Sequence, residues 1–216
     1  MRKVILILGI AFMMSVSLVE PAVAASLPGV SSAFGGSSIT WQRHYMSWLF
    51  GSETNPLMRE SYCGESIDGV LFLNAATVPN FEATCTVQPG TRILASPGGS
   101  IEWAPTNGTT DEQLLAQLAA DATAVQNAAG TLDGRTLNVQ DGFAVAGAFT
   151  IPVADDSFIK TVDPGFPTNL TETRVASDAW MVRLMPLSPG SHTLVLSDTI
   201  AGDPYVATFH INVAHS

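Results

Sequence analysis

Val70-Leu71-Phe72-Leu73 is an unbroken apolar run set between Gly69 and Asn74. A run this short, closed by turn-forming residues, predicts a strand covered on both faces. Strands are predicted over 70–75 and 92–95, placed around a third over 82–87, where Thr84-Cys85-Thr86-Val87 alternates. Asp133-Gly134, in the middle of 131–137, marks a tight hairpin. Residues 143–153 predict a strand pair or one bent strand, interrupted by Gly147 and Pro152. From 180 onward the alternation is cleanest. Trp180, Val182 and Leu184, then His192, Leu194 and Leu196, then Tyr205, Ala207, Phe209, Ile211 and Val213 recur at every second position. Three antiparallel strands with one buried face each are predicted there, with Leu194 opposite Ala207 and Leu196 opposite Tyr205.

Two stretches carry a helical period instead. Trp41, Tyr45 and Trp48 fall on one face of a helix that starts near Thr40 and stops at Gly51. Such a stripe either packs into a core or serves as an aromatic platform for a sugar ring, and these three residues are the candidate ligand-binding set. Residues 110–129 predict the one long helix. Thr110 and Gln113 form a capping box, Asp111 and Glu112 sit where the helix dipole favours them, and Leu115, Leu118, Ala122, Val125 and Ala129 make an apolar stripe ended by Gly130. Residues 154–175 hold Asp155, Asp156, Asp163, Pro164, Gly165 and Pro167 and predict a long irregular segment. The sum is a mainly β chain: an Ig-like or jelly-roll β-sandwich with two peripheral α-helices.

The N-terminus lies outside this pattern. Arg2 and Lys3 precede an uncharged, mostly apolar run and then Ala22-Val23-Ala24. That order predicts a cleaved signal peptide over 1–24, a loose lead-in over 25–39, and one domain over 40–216. The apolar run is too short for a spanning helix, so no membrane span is predicted after cleavage. The 216-residue chain has a formal net charge of −10, and loss of Arg2, Lys3 and Glu20 makes it one unit more negative. An acidic chain is a poor partner for nucleic acid or an anionic membrane. In an exported chain the two cysteines, Cys63 and Cys85, predict one disulfide, worth about 3 kcal/mol in the chain-entropy account.

Several motifs occur in a fixed order: Asn55-Pro56-Leu57, the segment from Cys63 that ends in Gly69-Val70-Leu71-Phe72-Leu73, Cys85-Thr86-Val87-Gln88-Pro89-Gly90, Asp111-Glu112-Gln113-Leu114, Leu132-Asp133-Gly134, and Trp180 to Leu194 with its P-L-S-P-G-x-H-T-L ending. This set resembles a family of uncharacterised secreted bacterial proteins of similar length. The resemblance implies export, a β-sandwich and a disulfide, and no activity. The chain departs from that pattern at Arg59 and over 65–69.

Candidate chemistry is sparse. The nucleophile elbow G-x-S-x-G is absent. Of His44, His192, His210 and His215, only His192 and His210 fall on adjacent predicted strands. The register that buries the leucines puts them on opposite faces, so they predict no shared metal. Asp155, Asp156 and Asp163 are the best candidates for Ca²⁺, which takes several oxygen ligands; no other cofactor is implied. Asn107 and Asn169 head glycosylation-type sequons and mark exposed loops. The expectation is a secreted, non-enzymatic β-sandwich that binds an extracellular protein or glycan. Two alternatives are a secreted polysaccharide hydrolase or lyase working through loop carboxylates, and a structural domain of an exported assembly. The last would expose edge strands at 131–139 or 205–213.

Overall fold

The computed structural model describes residues 35–74, 80–122 and 124–215. The expected signal peptide and all but the end of the lead-in lie outside them. Twelve strands are described: β1 (Gly64–Ile67), β2 (Val70–Leu73), β3 (Phe81–Val87), β4 (Arg92–Ala95), β5 (Gly99–Trp103), β6 (Val125–Leu132), β7 (Arg135–Thr136), β8 (Phe143–Pro152), β9 (Glu172–Trp180), β10 (Val182–Leu184), β11 (Gly190–Ile200) and β12 (Asp203–Val213). Three helices accompany them: α1 (Ser38–Gly51), α2 (Asp111–Asp121) and α3 (Phe158–Val162). The expected mainly β class is what is found.

The strands form three sheets. Sheet A runs β1-β2-β4-β10, sheet B β3-β12-β11-β6-β7, and sheet C β5-β9-β8. Sheet A is the middle layer. Leu71, Leu73, Ile93, Ala95, Val182 and Leu184 point from it into a core shared with sheet B. Val70, Phe72 and Leu94 point the other way, into a second core closed by α1 and sheet C. This is why residues 70–73 are apolar without interruption: both faces of β2 are interior. A fully buried side chain of this size contributes about 1.5–3 kcal/mol relative to an exposed one.

Several expectations are corrected. β3 does not lie between β2 and β4; those two pair directly and in parallel, while β3 pairs in parallel with β12 in sheet B. The two parallel pairs depart from the all-antiparallel pattern of an Ig domain. The 110–129 helix stops at Asp121, and 125–132 is β6, paired with β11. The capping box of Thr110 and Gln113 is present. An alanine-rich stripe buries little area, so beyond Asp121 a strand that places Val125, Ala128 and Leu132 in the core is worth more than continued helix. α1 is not peripheral, because it fills the second core, and its N-cap is Ser37 rather than Thr40. The segment 154–175 contains α3 and the start of β9. The run from Trp180 to Leu184 is split: Trp180 ends β9 in sheet C, and β10 pairs with β4, not β11.

The β11–β12 hairpin keeps the expected faces, but its register is two residues away. Leu194 lies opposite Phe209 and Leu196 opposite Ala207. An even slip preserves every inward residue. β12 lies inside sheet B between β11 and β3, so the expected exposed edge at 205–213 does not exist. The Asp133-Gly134 turn is as expected. Both residues have positive φ, 51° and 74°, as a two-residue hairpin demands.

Candidate functional site

The aromatic set on α1 is interior. Tyr45 and Trp48 are buried, at 0% and 5% exposure, and Tyr45 lies parallel to Phe72 with ring centroids 6.3 Å apart. The Tyr45 hydroxyl donates to the Leu73 carbonyl at 2.8 Å, and Trp48 Nε1 donates to Glu65 Oε2 at 2.9 Å. Trp41 is half-buried and donates to the Gly35 carbonyl. Faces and polar tips of Tyr45 and Trp48 are thus engaged, which leaves no platform for a sugar there.

The loop carboxylates are dispersed in role. Asp163 is a structural anchor. It accepts from Trp103 Nε1 at 3.0 Å, from the Thr106 hydroxyl, and from the Gly165 amide at 3.0 Å. Burial pushes its pKa up, but these donors outweigh burial and hold it below the usual carboxylate range. Asp155 is solvent-exposed and pairs with Lys160 at 3.1 Å, while Asp156 is exposed. Among the described residues no group of three His, Cys, Asp or Glu side chains is placed to hold a metal. His210 faces outward and meets Glu82 at 2.9 Å, well apart in role from His192.

His192 sits instead in a cleft that the sequence did not single out. Its Nδ1 contacts Asp133 Oδ2 at 2.7 Å, and its Nε2 contacts the Ser188 carbonyl at 2.9 Å, with the Ser188 hydroxyl at 3.4 Å. Both nitrogens therefore face acceptors, a pattern that suits the doubly protonated ring. The hydrogen bond to Asp133 raises the His192 pKa, against a smaller opposing effect of burial. For Asp133, burial raises the pKa, but the bonds from His192 and the Thr193 amide, with the charges of His192 and Arg135, bring it below normal. The order Asp-His-Ser invites comparison with a hydrolytic triad. However, a general base needs a free Nε2 lone pair, and here the Ser188 carbonyl holds that position. The trio works as a latch that ties the β10–β11 connection to the β6–β7 hairpin.

A second surface forms at the start of β8. Phe143 and Val145 are 44% and 48% exposed, and the Phe143 ring rests on Trp180 with centroids 4.8 Å apart. A bulge between Val145 and Gly147 creates this arrangement. Phe143, Val145, Phe149 and Ile151 share odd numbers and would share one face of an unbroken strand. The extra residue reverses the phase, so Phe149 and Ile151 enter the core while Phe143 and Val145 face solvent. Arg43 fixes the bulge by donating twice to the Ala146 carbonyl, at 2.7 and 3.3 Å, with its guanidinium over Phe149. The indole is pinned as well: Trp180 Nε1 donates to Gln140 Oε1 at 3.1 Å, and Gln140 Nε2 donates to the Ala128 carbonyl at 2.8 Å. Asp178, opposite Val145 in the register, accepts from the Ser100 amide at 2.9 Å; burial raises its pKa.

No protein-family model and no curated protein matches the chain. The solution structure of Amebosin aligns with 61% of this chain and 88% of its own at 11% identity, with a TM-score of 0.21. That similarity is too low to carry an argument about either fold or function.

Proposed function

We propose that the chain is an exported binding protein that engages an extracellular protein or glycan through the surface formed by Phe143, Val145 and Trp180. The observation that carries this reading is the bulge at Gly147, which turns Phe143 and Val145 outward on a strand whose other large apolar side chains, Phe149 and Ile151, are buried. Strand phase alone would have hidden them, and bulges recur beside functional surfaces. The platform is preorganised, because the Gln140 bridge and the Arg43 brace hold Trp180 and β8 before any partner arrives. Less ordering entropy is then lost on association. The disulfide between Cys63 and Cys85 supports export. No helix among the described residues is long and apolar enough to cross a membrane.

The test is retention of the mature chain, Ala25 onward, on immobilised extracellular polysaccharides and secreted proteins, with a Phe143→Ser/Val145→Ser variant in parallel. Retention of the parent alone supports the surface. Equal retention of both places binding elsewhere.

A further inference from the structure

We propose that the cleft between the β6–β7 hairpin and the β10–β11 connection is a second binding site, built for the C-terminal carboxylate of a peptide ending in an aliphatic residue. The cleft measures 370 Å³ and is lined by Leu132, Asp133, Arg135, Pro186, Leu187, Ser188 and His192. That volume falls within the range of small-molecule sites, about 300–1,000 Å³, and accommodates a terminal residue.

Its charge is unusual for this chain. The protein has 9 Lys and Arg against 19 Asp and Glu, yet the cleft gathers a guanidinium and an imidazole around a single carboxylate. That carboxylate is already committed: Asp133 Oδ2 is held by His192 and Oδ1 by the Thr193 amide at 2.8 Å. Arg135 is exposed on a two-residue strand. Its charge acts on Asp133, but among the described residues its guanidinium donates no side-chain hydrogen bond, because other donors already hold both Asp133 oxygens. A guanidinium fork matches a carboxylate in paired N–H···O geometry. Pro186 and Leu187 supply an aliphatic wall beside it, and no Phe, Tyr or Trp ring lines the cleft. This composition favours an aliphatic side chain next to the carboxylate over a uronic acid, whose sugar face calls for a ring to stack on. The latch through His192 holds the Ser188 side of the cleft against the Arg135 side, so the pocket exists before the ligand enters. The site is separate from the Phe143–Trp180 surface and does not rest on it.

The experiment is a calorimetric titration of the mature protein with N-acetyl-leucyl-leucine, its C-terminal amide, and methyl glucuronide. Arg135→Gln and Phe143→Ser variants are run alongside. The expected result is saturable binding of the free acid, weakened at least tenfold by amidation and at least tenfold in Arg135→Gln. Phe143→Ser should bind the acid as the parent does, and methyl glucuronide should bind no better than the amide. Binding of the amide within twofold of the acid overturns the proposal, as does an unchanged affinity in Arg135→Gln. So does absence of saturable binding by the acid, or a preference for the glucuronide.

Discussion

Asp198 on β11 turns its carboxylate into the core against Gly98, so closely that a Cβ built on Gly98 would lie 2.1 Å from Asp198 Oδ2. Asp198 is 4% exposed, and neither of its oxygens has a hydrogen-bond partner. It occupies one of the inward positions of β11, in line with Leu194, Leu196 and Ile200. Burial raises its pKa to about 7. The Tyr205 ring lies across the hairpin, opposite it in the register. Burial, with the charges of Asp203 and Asp198, pushes the Tyr205 hydroxyl up to about 12.

The first prediction follows from that carboxyl. The folded state binds its proton more tightly than the unfolded chain, whose aspartate titrates near 3.8. Its neutral form is therefore compatible with the fold below pH 4, and stability is lost as pH rises toward and through 7. The loss is up to about 4 kcal/mol. Urea unfolding from pH 4.5 to 8 should show stability falling with pH, and Asp198→Asn should flatten the slope. An identical slope in the variant would refute the assignment.

The second concerns the disulfide. Cys63 immediately precedes β1 in sheet A, and Cys85 lies on β3 in sheet B, so their bond ties two sheets across the first core. Its closed loop, with a sequence separation of 22, is worth about 3 kcal/mol. Replacing both cysteines by serine should lower the urea midpoint accordingly, and reductant should lower that of the parent but not of the variant. A parent midpoint that ignores reductant rules out a stabilising role.

The third tests the latch. The His192 proton is bound more tightly in the folded state, so its contribution is complete below about pH 6.5 and fades as pH rises past its elevated folded pKa. Asp133→Asn should cost about 1 kcal/mol at pH 6, a magnitude typical of partly exposed ion pairs, and less at pH 9. Thermal melts at the two values compare parent and variant. A penalty that grows with pH contradicts the protonated latch.

Adjacent leucines on α2 give the fourth. Leu114 is fully buried against Ala176 of β9, whereas Leu115 is 38% exposed. Leu114→Ala should cost about 2–5 kcal/mol and Leu115→Ala within about 0.5 kcal/mol, read from chemical denaturation. The order would reverse if the stripe through Leu115, as spacing alone suggests, faced the sheet.

These residues also show what the sequence could and could not convey. The buried run at 70–73, the capping box, the Asp133-Gly134 turn, the disulfide and the alternation of β11 and β12 rest on local chemistry and were legible. The pairing of β2 with β4, and the assignment of β3 to another sheet, depend on long-range contacts that no local period encodes. Beyond Asp121 the helical pattern of the sequence outruns the helix itself, because alanine satisfies a helical stripe and an inward strand position alike. The candidate surfaces were harder still. Phe143 and Val145 carry the same alternation as Phe149 and Ile151, and only the phase change at Gly147 sends them outward. Gly147 itself was the available signal. Asp133, Arg135 and His192 converge only because β6, β7 and β11 are neighbours, and each looked like an ordinary turn or strand-end residue.

The most direct test of the binding account is a thermal-shift measurement of the chain from Ala25 onward against purified extracellular glycans and secreted proteins, repeated for Phe143→Ser/Val145→Ser. A partner that binds only the folded state must raise the apparent melting temperature. The account predicts a concentration-dependent rise for at least one partner in the parent and none in the variant, with the unliganded variant still melting cooperatively. The same rise in both proteins, or none in the parent with any partner, would contradict it.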